Sequence, residues 1–197
     1  MMVDSKSNKK VEFRHDLAYE LIESGSNVLD IGCGTGIFSK KLMEKGCKVI
    51  GCEIDRKSVN EARKFGVRVF LCDAEKDPLP KGRFDYITCL DVMEHLKQPE
   101  EFLKKLKGKS KYLILSVPNA CWIKNRITIL FGSIPRANAF TKHLGSLHYW
   151  LWSYSQFKQM IEKLGFEIIE EKKIKIPNIP FFDNWFVYSY TLNVKNK

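Results

Sequence analysis

The stretch VLDIGCGTGIFSKKL, Val28 to Leu42, decides how the rest of the chain is read. Apolar residues around Asp30 end in three glycines at alternate positions, Gly32, Gly34 and Gly36, and an amphipathic segment follows at once. This is the pattern of a strand, a tight turn and a helix. Glycines in such a turn remove side chains and leave backbone N–H groups exposed, so a ligand can lie close against it. The dinucleotide fingerprint GxGxxG needs its third glycine where this chain has Ile37, a bulky branched residue that argues against a dinucleotide. The glycine run therefore indicates a nucleotide-like ligand without naming it.

Outward from this stretch the pattern alternates. A helix is predicted over Glu12–Glu23 and strands over Val28–Ile31, Lys48–Glu53, Val67–Leu71, Phe84–Cys89 and Tyr112–Val117. Helices are predicted between them over Phe38–Lys45, Lys57–Phe65 and Glu100–Lys107. Short, nearly continuous apolar strands separated by helices indicate a parallel sheet buried on both faces and built from βαβ units. After Pro118 the character changes. Trp122–Phe131 reads as a helix, Gly132–Trp150 as irregular, and Ser153 as the N-cap of a helix running through Gln156 to Leu164 and stopped by Gly165. Phe166–Ile174 and Trp185–Val194 read as two further strands forming a hairpin-like edge, and residues 1–10 as a disordered lead-in.

At 197 residues, with ordinary hydrophobic (44%) and charged (28%) fractions, the chain is expected to be one soluble domain. No apolar run approaches the ~18 residues that span a bilayer, and the polar N-terminus does not resemble a secretory signal. The expectation is a cytoplasmic protein with no membrane partner, a monomer or a homodimer. The six cysteines contain no CxxC pair and are expected to be reduced, most of them buried as small hydrophobes. Of the net charge of +10, much sits between Lys97 and Arg126, which hold eight Lys or Arg against two Glu. Such a stripe can attract a nucleic-acid partner, but a lysine-rich solvated face is the more frequent origin of the pattern and the one expected here.

Two carboxylates narrow the ligand. Glu53 ends the second strand, where it can accept hydrogen bonds from both hydroxyls of a ribose, as in NAD or any adenosine compound. Asp73 ends the third, where it can accept from an adenine amino group with Ala74 beside it. All of these sit at the carboxyl ends of adjacent parallel strands, the ligand-binding end of open α/β sheets.

LDIGCGTG, an acidic end to strand two, CDAE after strand three and FDYITCLDVMEHL around strand four together resemble the class I S-adenosylmethionine-dependent methyltransferases, over about residues 26–175. The resemblance implies a three-layer Rossmann-like α/β fold, with a seven-stranded, mostly parallel sheet in the order 3-2-1-4-5-7-6 and an antiparallel last strand. It implies S-adenosylmethionine as cofactor, held by Asp30, Gly32, Cys33, Gly34 and Gly36 at the methionine portion. Glu53 with Ile54 would hold the ribose, Asp73 with Ala74 the adenine, and Leu90 and Asp91 would line the pocket near the sulfonium. VPNACWIKNRITILFGSIP and LHYWLWSYSQFKQMIEKLGF are similar to a MetW-like branch linked to methionine biosynthesis, whereas LDVMEHL looks more like quinone-biosynthesis O-methyltransferases.

Methyl transfer from a sulfonium is an in-line displacement that needs alignment more than strong acid catalysis, but a hydroxyl acceptor benefits from a base. His95, His143 and His148 are the candidates. Each also has an ordinary structural role open to it: capping a helix, standing in a solvated loop, or bracing aromatic packing. Asp91, Glu94 and His95 share one face if a helix begins there and could then bind a divalent ion, as some similar quinone O-methyltransferases do. Many similar chains share the loop without a metal, and a metal-free site is expected. The insertion 132–152, with Phe140, Leu144, Leu147, Tyr149, Trp150 and Trp152, is expected to form an apolar lid over the acceptor. The chain lacks the Asn/Asp-Pro-Pro-aromatic motif of adenine or glutamine N-methylation and the cysteine pair of RNA cytosine methylation. The expected activity is O-methylation of a small molecule. The alternatives are methylation of RNA and a catalytically silent, cofactor-binding regulator of methionine biosynthesis.

Overall fold

The computed structural model describes residues 14–133, 148–175 and 187–196. The lead-in at 1–10, His143 and most of the insertion 132–152 lie outside the described residues. A helix over 14–21 (α1) precedes β1 (Asn27–Ile31), α2 (Ile37–Glu44), β2 (Lys48–Glu53), α3 (Arg56–Lys64) and β3 (Arg68–Leu71). Then come β4 (Phe84–Leu90), a 3-10 turn (Met93–His95), α4 (Pro99–Leu106), β5 (Ser110–Pro118), α5 (Ile123–Leu130), α6 (Tyr154–Lys163), β6 (Phe166–Lys175) and β7 (Val187–Asn196).

The strands form one seven-stranded sheet in the order β3-β2-β1-β4-β5-β7-β6. The first five pair in parallel, and β7 runs antiparallel to both β5 and β6. This is the sheet that the resemblance implies. Helix starts follow local capping chemistry. Asp55 accepts from the Ser58 N–H (2.9 Å), which begins α3 one residue before the predicted start. Ser153 accepts from the Gln156 N–H while Gln156 accepts from the Ser153 N–H, a reciprocal cap at the predicted position.

Alternate residues of the central strands feed opposite faces of the sheet. Leu29, Ile31, Ile87 and Cys89 pack with Phe102, Leu103 and Leu106 of α4 and Phe157 and Ile161 of α6. Val28 and Tyr86 pack on the other face with Ala18 and Leu21 of α1 and Phe38 and Leu42 of α2. A smaller cluster joins Val59 and Ala62 of α3 to Cys33, Val67 and Val69. Helix layers on both faces leave the carboxyl ends of β1–β5 open at one rim. All six cysteines are unbridged and five are buried, Cys121 being half-buried. Three lysines of the basic stretch are engaged locally. Lys105 donates to the carbonyls of Ala74 and Asp77, Lys104 pairs with Glu101, and Lys107 lies over the Phe166 ring.

Candidate functional site

The open rim forms a cleft of about 470 Å³. Of the residues expected at the cofactor, Gly32, Glu53, Ile54, Asp73, Ala74 and Asp91 line it, with His95, Lys76, Val92 and Tyr149 completing the wall. The glycines do different things. Gly32 (φ +71) has no room for a side chain, because a Cβ there would lie 2.5 Å from Val92 Cγ2. Gly36 (φ +81) would place a Cβ 2.8 Å from the Ala62 Cβ, so it lets the turn sit against α3. Gly34 (φ +54) has open space where a Cβ would go.

Glu53 organises the loop around itself. Its Oε2 accepts from the Gly34 N–H (2.8 Å), and its Oε1 accepts from Ile54 N–H (2.8 Å) and Asp55 N–H (2.9 Å). Asp73 accepts from the Glu75 N–H (3.1 Å) and from Lys76 Nζ (2.7 Å), and the Lys76 ammonium holds its carboxyl below the ordinary value.

Five expected cofactor residues are not part of the cleft lining: Gly34 and Gly36 of the turn, and three that stand elsewhere, Asp30, Cys33 and Leu90. Asp30 is 2% exposed and lies beneath the loop, where Ser39 donates to Oδ2 (2.6 Å) and Thr88 to Oδ1 (2.7 Å). Parallel pairing sets Thr88 of β4 directly beside Asp30 of β1, which brings the hydroxyl to the carboxylate. Asp30 therefore braces the glycine turn against β4 and α2 instead of facing the cleft. Cys33 turns into the cluster under α3, its Sγ lying 2.7 Å from where a Gly51 Cβ would stand. Leu90 packs on the face that holds Tyr86 and Phe38.

Burial raises the Asp30 carboxyl from 3.8 to about 6, the two hydroxyl donors opposing the shift. The folded chain thus takes up a proton that the unfolded chain lacks between those pH values. This group's contribution to stability falls as pH rises from about 4 to about 6, by about 3 kcal/mol in all. Asp30→Asn should remove that component. Measured by urea unfolding, the stability of the wild type relative to the variant should fall by about 3 kcal/mol from about pH 4 to about pH 6.

Asp91 does not share a helical face with Glu94 and His95, contrary to what their spacing predicts. Its φ is +54, so the chain is not helical there, and the 3-10 turn begins only at Met93. Its carboxylate pairs instead with Arg14 of α1 (2.5 Å) and accepts from Ser116 Oγ (3.2 Å). Arg14, 7% exposed, is not singled out by the sequence, and only its place in an amphipathic helix with one basic residue turned inward could have flagged it.

The place of Asp91 beside Glu94 and His95 is taken by His148, so two of the three candidate histidines meet. The His95 and His148 rings pack edge to face with centroids 4.7 Å apart. His95 lines the cleft, while Glu94 and His148 line a narrow slot behind it with Asn119, Trp122, Trp150 and Trp152. The described end of the insertion is fastened there: Tyr149 N–H donates to the Glu94 carbonyl (2.8 Å), Trp150 Nε1 to the Leu96 carbonyl (2.9 Å), and Ala120 N–H to the Trp152 carbonyl (2.9 Å).

Among known proteins, the chain is 31% identical over 125 residues to the mitochondrial ubiquinone biosynthesis O-methyltransferase of Schizosaccharomyces pombe, covering 54% of this chain and 43% of that protein. It is 29% identical over 126 residues to the ubiquinone biosynthesis O-methyltransferase of Chromobacterium violaceum, covering 53% of this chain and 54% of that one. The chain thus spans about half the length of these curated relatives. Its fold is similar to that of magnesium protoporphyrin IX methyltransferase from Synechocystis PCC 6803, solved with bound S-adenosylhomocysteine, with a TM-score of 0.72 at 19% identity over 100% of this chain and 89% of that one. The family described as "Methyltransferase domain" matches residues 6–171, and with the sheet order and the cleft at its carboxyl rim this places the chain in that family.

Proposed function

We propose that the chain transfers the methyl group of S-adenosylmethionine to a hydroxyl of a small molecule. The observation that carries this reading is the cleft itself, where carboxylates end adjacent strands β2 and β3 and an imidazole-lined wall stands across from them. Glu53 suits the ribose hydroxyls and Asp73 the adenine amino group. The amino-acid end of the cofactor would lie toward Gly32 and the Arg14–Asp91 pair, where a carboxylate meets a guanidinium and an ammonium meets a carboxylate. The sulfonium would then face the wall that includes His95.

In this reading the acceptor oxygen attacks the methyl carbon in line with the breaking carbon–sulfur bond. The acceptor hydroxyl gives up its proton as its oxygen takes the methyl group, which bound S-adenosylmethionine would supply from sulfur, the bonding pair staying with sulfur. Because the leaving group is already activated, the protein's part is to align the two partners, exclude water and stabilise the oxygen as it loses that proton. Residues Glu94, His95 and His148 provide the polar wall for the last task, and Trp122, Trp150 and Trp152 supply apolar surface beside it. The local engagement of Lys104, Lys105 and Lys107 favours a small molecule over RNA as acceptor.

Incubation with methyl-labelled S-adenosylmethionine and a fractionated cell extract tests the proposal. Label should enter the small-molecule fraction. Label in RNA would overturn the acceptor assignment, and absence of transfer despite cofactor binding would leave a silent regulator as the better account. Arg14 has its own test. Arg14→Ala should weaken S-adenosylhomocysteine about ten- to a hundredfold in calorimetry, the size of a lost charged hydrogen bond. Methylthioadenosine, which lacks the amino-acid group, should bind wild type and variant alike.

A further inference from the structure

A second groove, of about 710 Å³, lies between the start of α4 and α6, within the roughly 300–1,000 Å³ of ligand pockets. Lys97 lines both this groove and the cofactor cleft, so the two meet at that residue. The groove has a rigid aromatic platform. Trp150 is 41% exposed and yet fixed at three points: its backbone N–H donates to the Glu94 carbonyl (3.4 Å), its indole N–H donates to the Leu96 carbonyl (2.9 Å), and its ring lies parallel to that of Trp152, with centroids 5.7 Å apart and 3° between planes. Trp152 packs in turn on Phe157 of the core (5.2 Å). A side chain fixed before a ligand arrives loses little freedom on binding it. Beside the platform the groove is lined by planar polar groups. Gln98 precedes α4 without capping it through its side chain, Glu100 is exposed on the first turn of α4, and Gln159 is exposed on α6. Amides both donate and accept, and a carboxylate accepts. Charge cancels around the groove, Lys97 and Lys163 standing against Glu100 and Glu101. Balanced charges give an ionic ligand no advantage, and an alkyl chain would strip water from the amides and carboxylates without replacing its hydrogen bonds.

We propose that this groove binds a neutral saccharide unit, with a C–H face of the sugar ring against the Trp150 indole and its hydroxyls paired with Gln98, Glu100 and Gln159. A pyranose combines the two surfaces the groove asks for, since its axial C–H groups form an apolar face and its edge carries hydroxyls that donate and accept. The ligand class stands on the groove alone. Its use rests on the methyltransferase reading: because groove and cleft meet at Lys97, the accepting hydroxyl belongs to a sugar continuous with the unit on Trp150. That hydroxyl loses its proton to water as its oxygen takes the methyl group, and the carbon–sulfur pair stays with sulfur.

Saturation-transfer NMR on the full chain tests the groove, using neutral trisaccharides of glucose, galactose, mannose and N-acetylglucosamine, with decanol as apolar control and citrate as anionic control. At least one saccharide should receive saturation through its ring C–H protons, and the controls should not. Trp150→Ala should weaken that saccharide by about tenfold or more, the loss of an aromatic platform. Gln159→Ala should weaken it by about three- to tenfold, the loss of one hydrogen bond. Gln159 is exposed, so this variant decides the matter even if Trp150→Ala does not fold. S-adenosylhomocysteine should bind Gln159→Ala as it binds the wild type. No signal from any saccharide, a stronger signal from either control, or an affinity unchanged in Gln159→Ala would overturn the site. Dimerisation in sedimentation velocity that Trp150→Ala abolishes would assign the groove to a second copy of the chain and overturn it equally. The bound saccharide is then incubated with methyl-labelled S-adenosylmethionine and should take up label. Binding without label, in a chain that binds S-adenosylhomocysteine, would overturn the sugar as acceptor. If S-adenosylhomocysteine does not bind either, the failure lies in the methyltransferase reading, and the NMR result still decides the groove.

Discussion

Glu53→Gln should lower the affinity for S-adenosylhomocysteine by a factor of about a hundred to ten thousand, measured by calorimetry, while the chain stays folded. Two ribose hydroxyls donating to a carboxylate contribute roughly 1.5–3 kcal/mol each, and a neutral amide cannot accept in the same bidentate way. The substitution keeps the side-chain volume at a half-buried position, so no cavity opens. Its structural cost is the reorganised loop. Glu53 accepts from three backbone N–H groups, those of Gly34, Ile54 and Asp55. An amide oxygen can keep the last two, but an amide nitrogen cannot accept from Gly34. A carboxylate offers about four acceptor positions, three of which the loop occupies. On the proposed placement, a ribose that takes two of these positions would displace one of the loop's N–H groups, which would couple binding to the loop through one side chain. Asp73→Asn should show a smaller loss, because one amino-group bond is at stake and Lys76 already competes for that carboxylate.

Gly34→Ala and Gly36→Ala should separate binding from folding although the residues stand two apart. Both have positive φ, where an alanine costs roughly 1–2 kcal/mol. At Gly36 the added methyl also meets the Ala62 Cβ at 2.8 Å and Cα at 3.0 Å, backbone that cannot step aside cheaply. Overpacking of that kind adds about 1–3 kcal/mol, so Gly36→Ala should lose about 2–5 kcal/mol in urea unfolding. At Gly34 the methyl projects into open space. Gly34→Ala should therefore lose only the roughly 1–2 kcal/mol set by its positive φ, and on the proposed placement of the cofactor against the glycine turn it should bind S-adenosylhomocysteine poorly. Equal stability losses in the two variants would show that the contact of Gly36 with α3 adds no overpacking, and unchanged S-adenosylhomocysteine affinity in Gly34→Ala would show that no ligand lies against Gly34.

The glycine turn, the strand alternation and the two carboxylates at strand ends were legible because each is a local pattern: period, spacing and strand-end position. The N-cap at Ser153 was legible for the same reason. What escaped was set by neighbours distant in sequence. Asp30 looks like a ligand-facing carboxylate until β4 is laid beside β1 and Thr88 falls next to it. Arg14 acquires a role only when α1 packs against the sheet and meets Asp91. The i, i+3, i+4 spacing of Asp91, Glu94 and His95 presumes a helix, but the left-handed backbone at Asp91 breaks that face, and His148 arrives from the far end of the insertion to complete the cluster. Periodicity carries no information about such an encounter.

A crystal structure of the chain with S-adenosylhomocysteine tests the central claim most directly. The ribose hydroxyls should lie within hydrogen-bonding distance of Glu53 and the adenine amino group at Asp73, with the sulfur directed toward the wall that carries His95. A ligand held elsewhere, or a cleft left empty at saturating concentration, would contradict it.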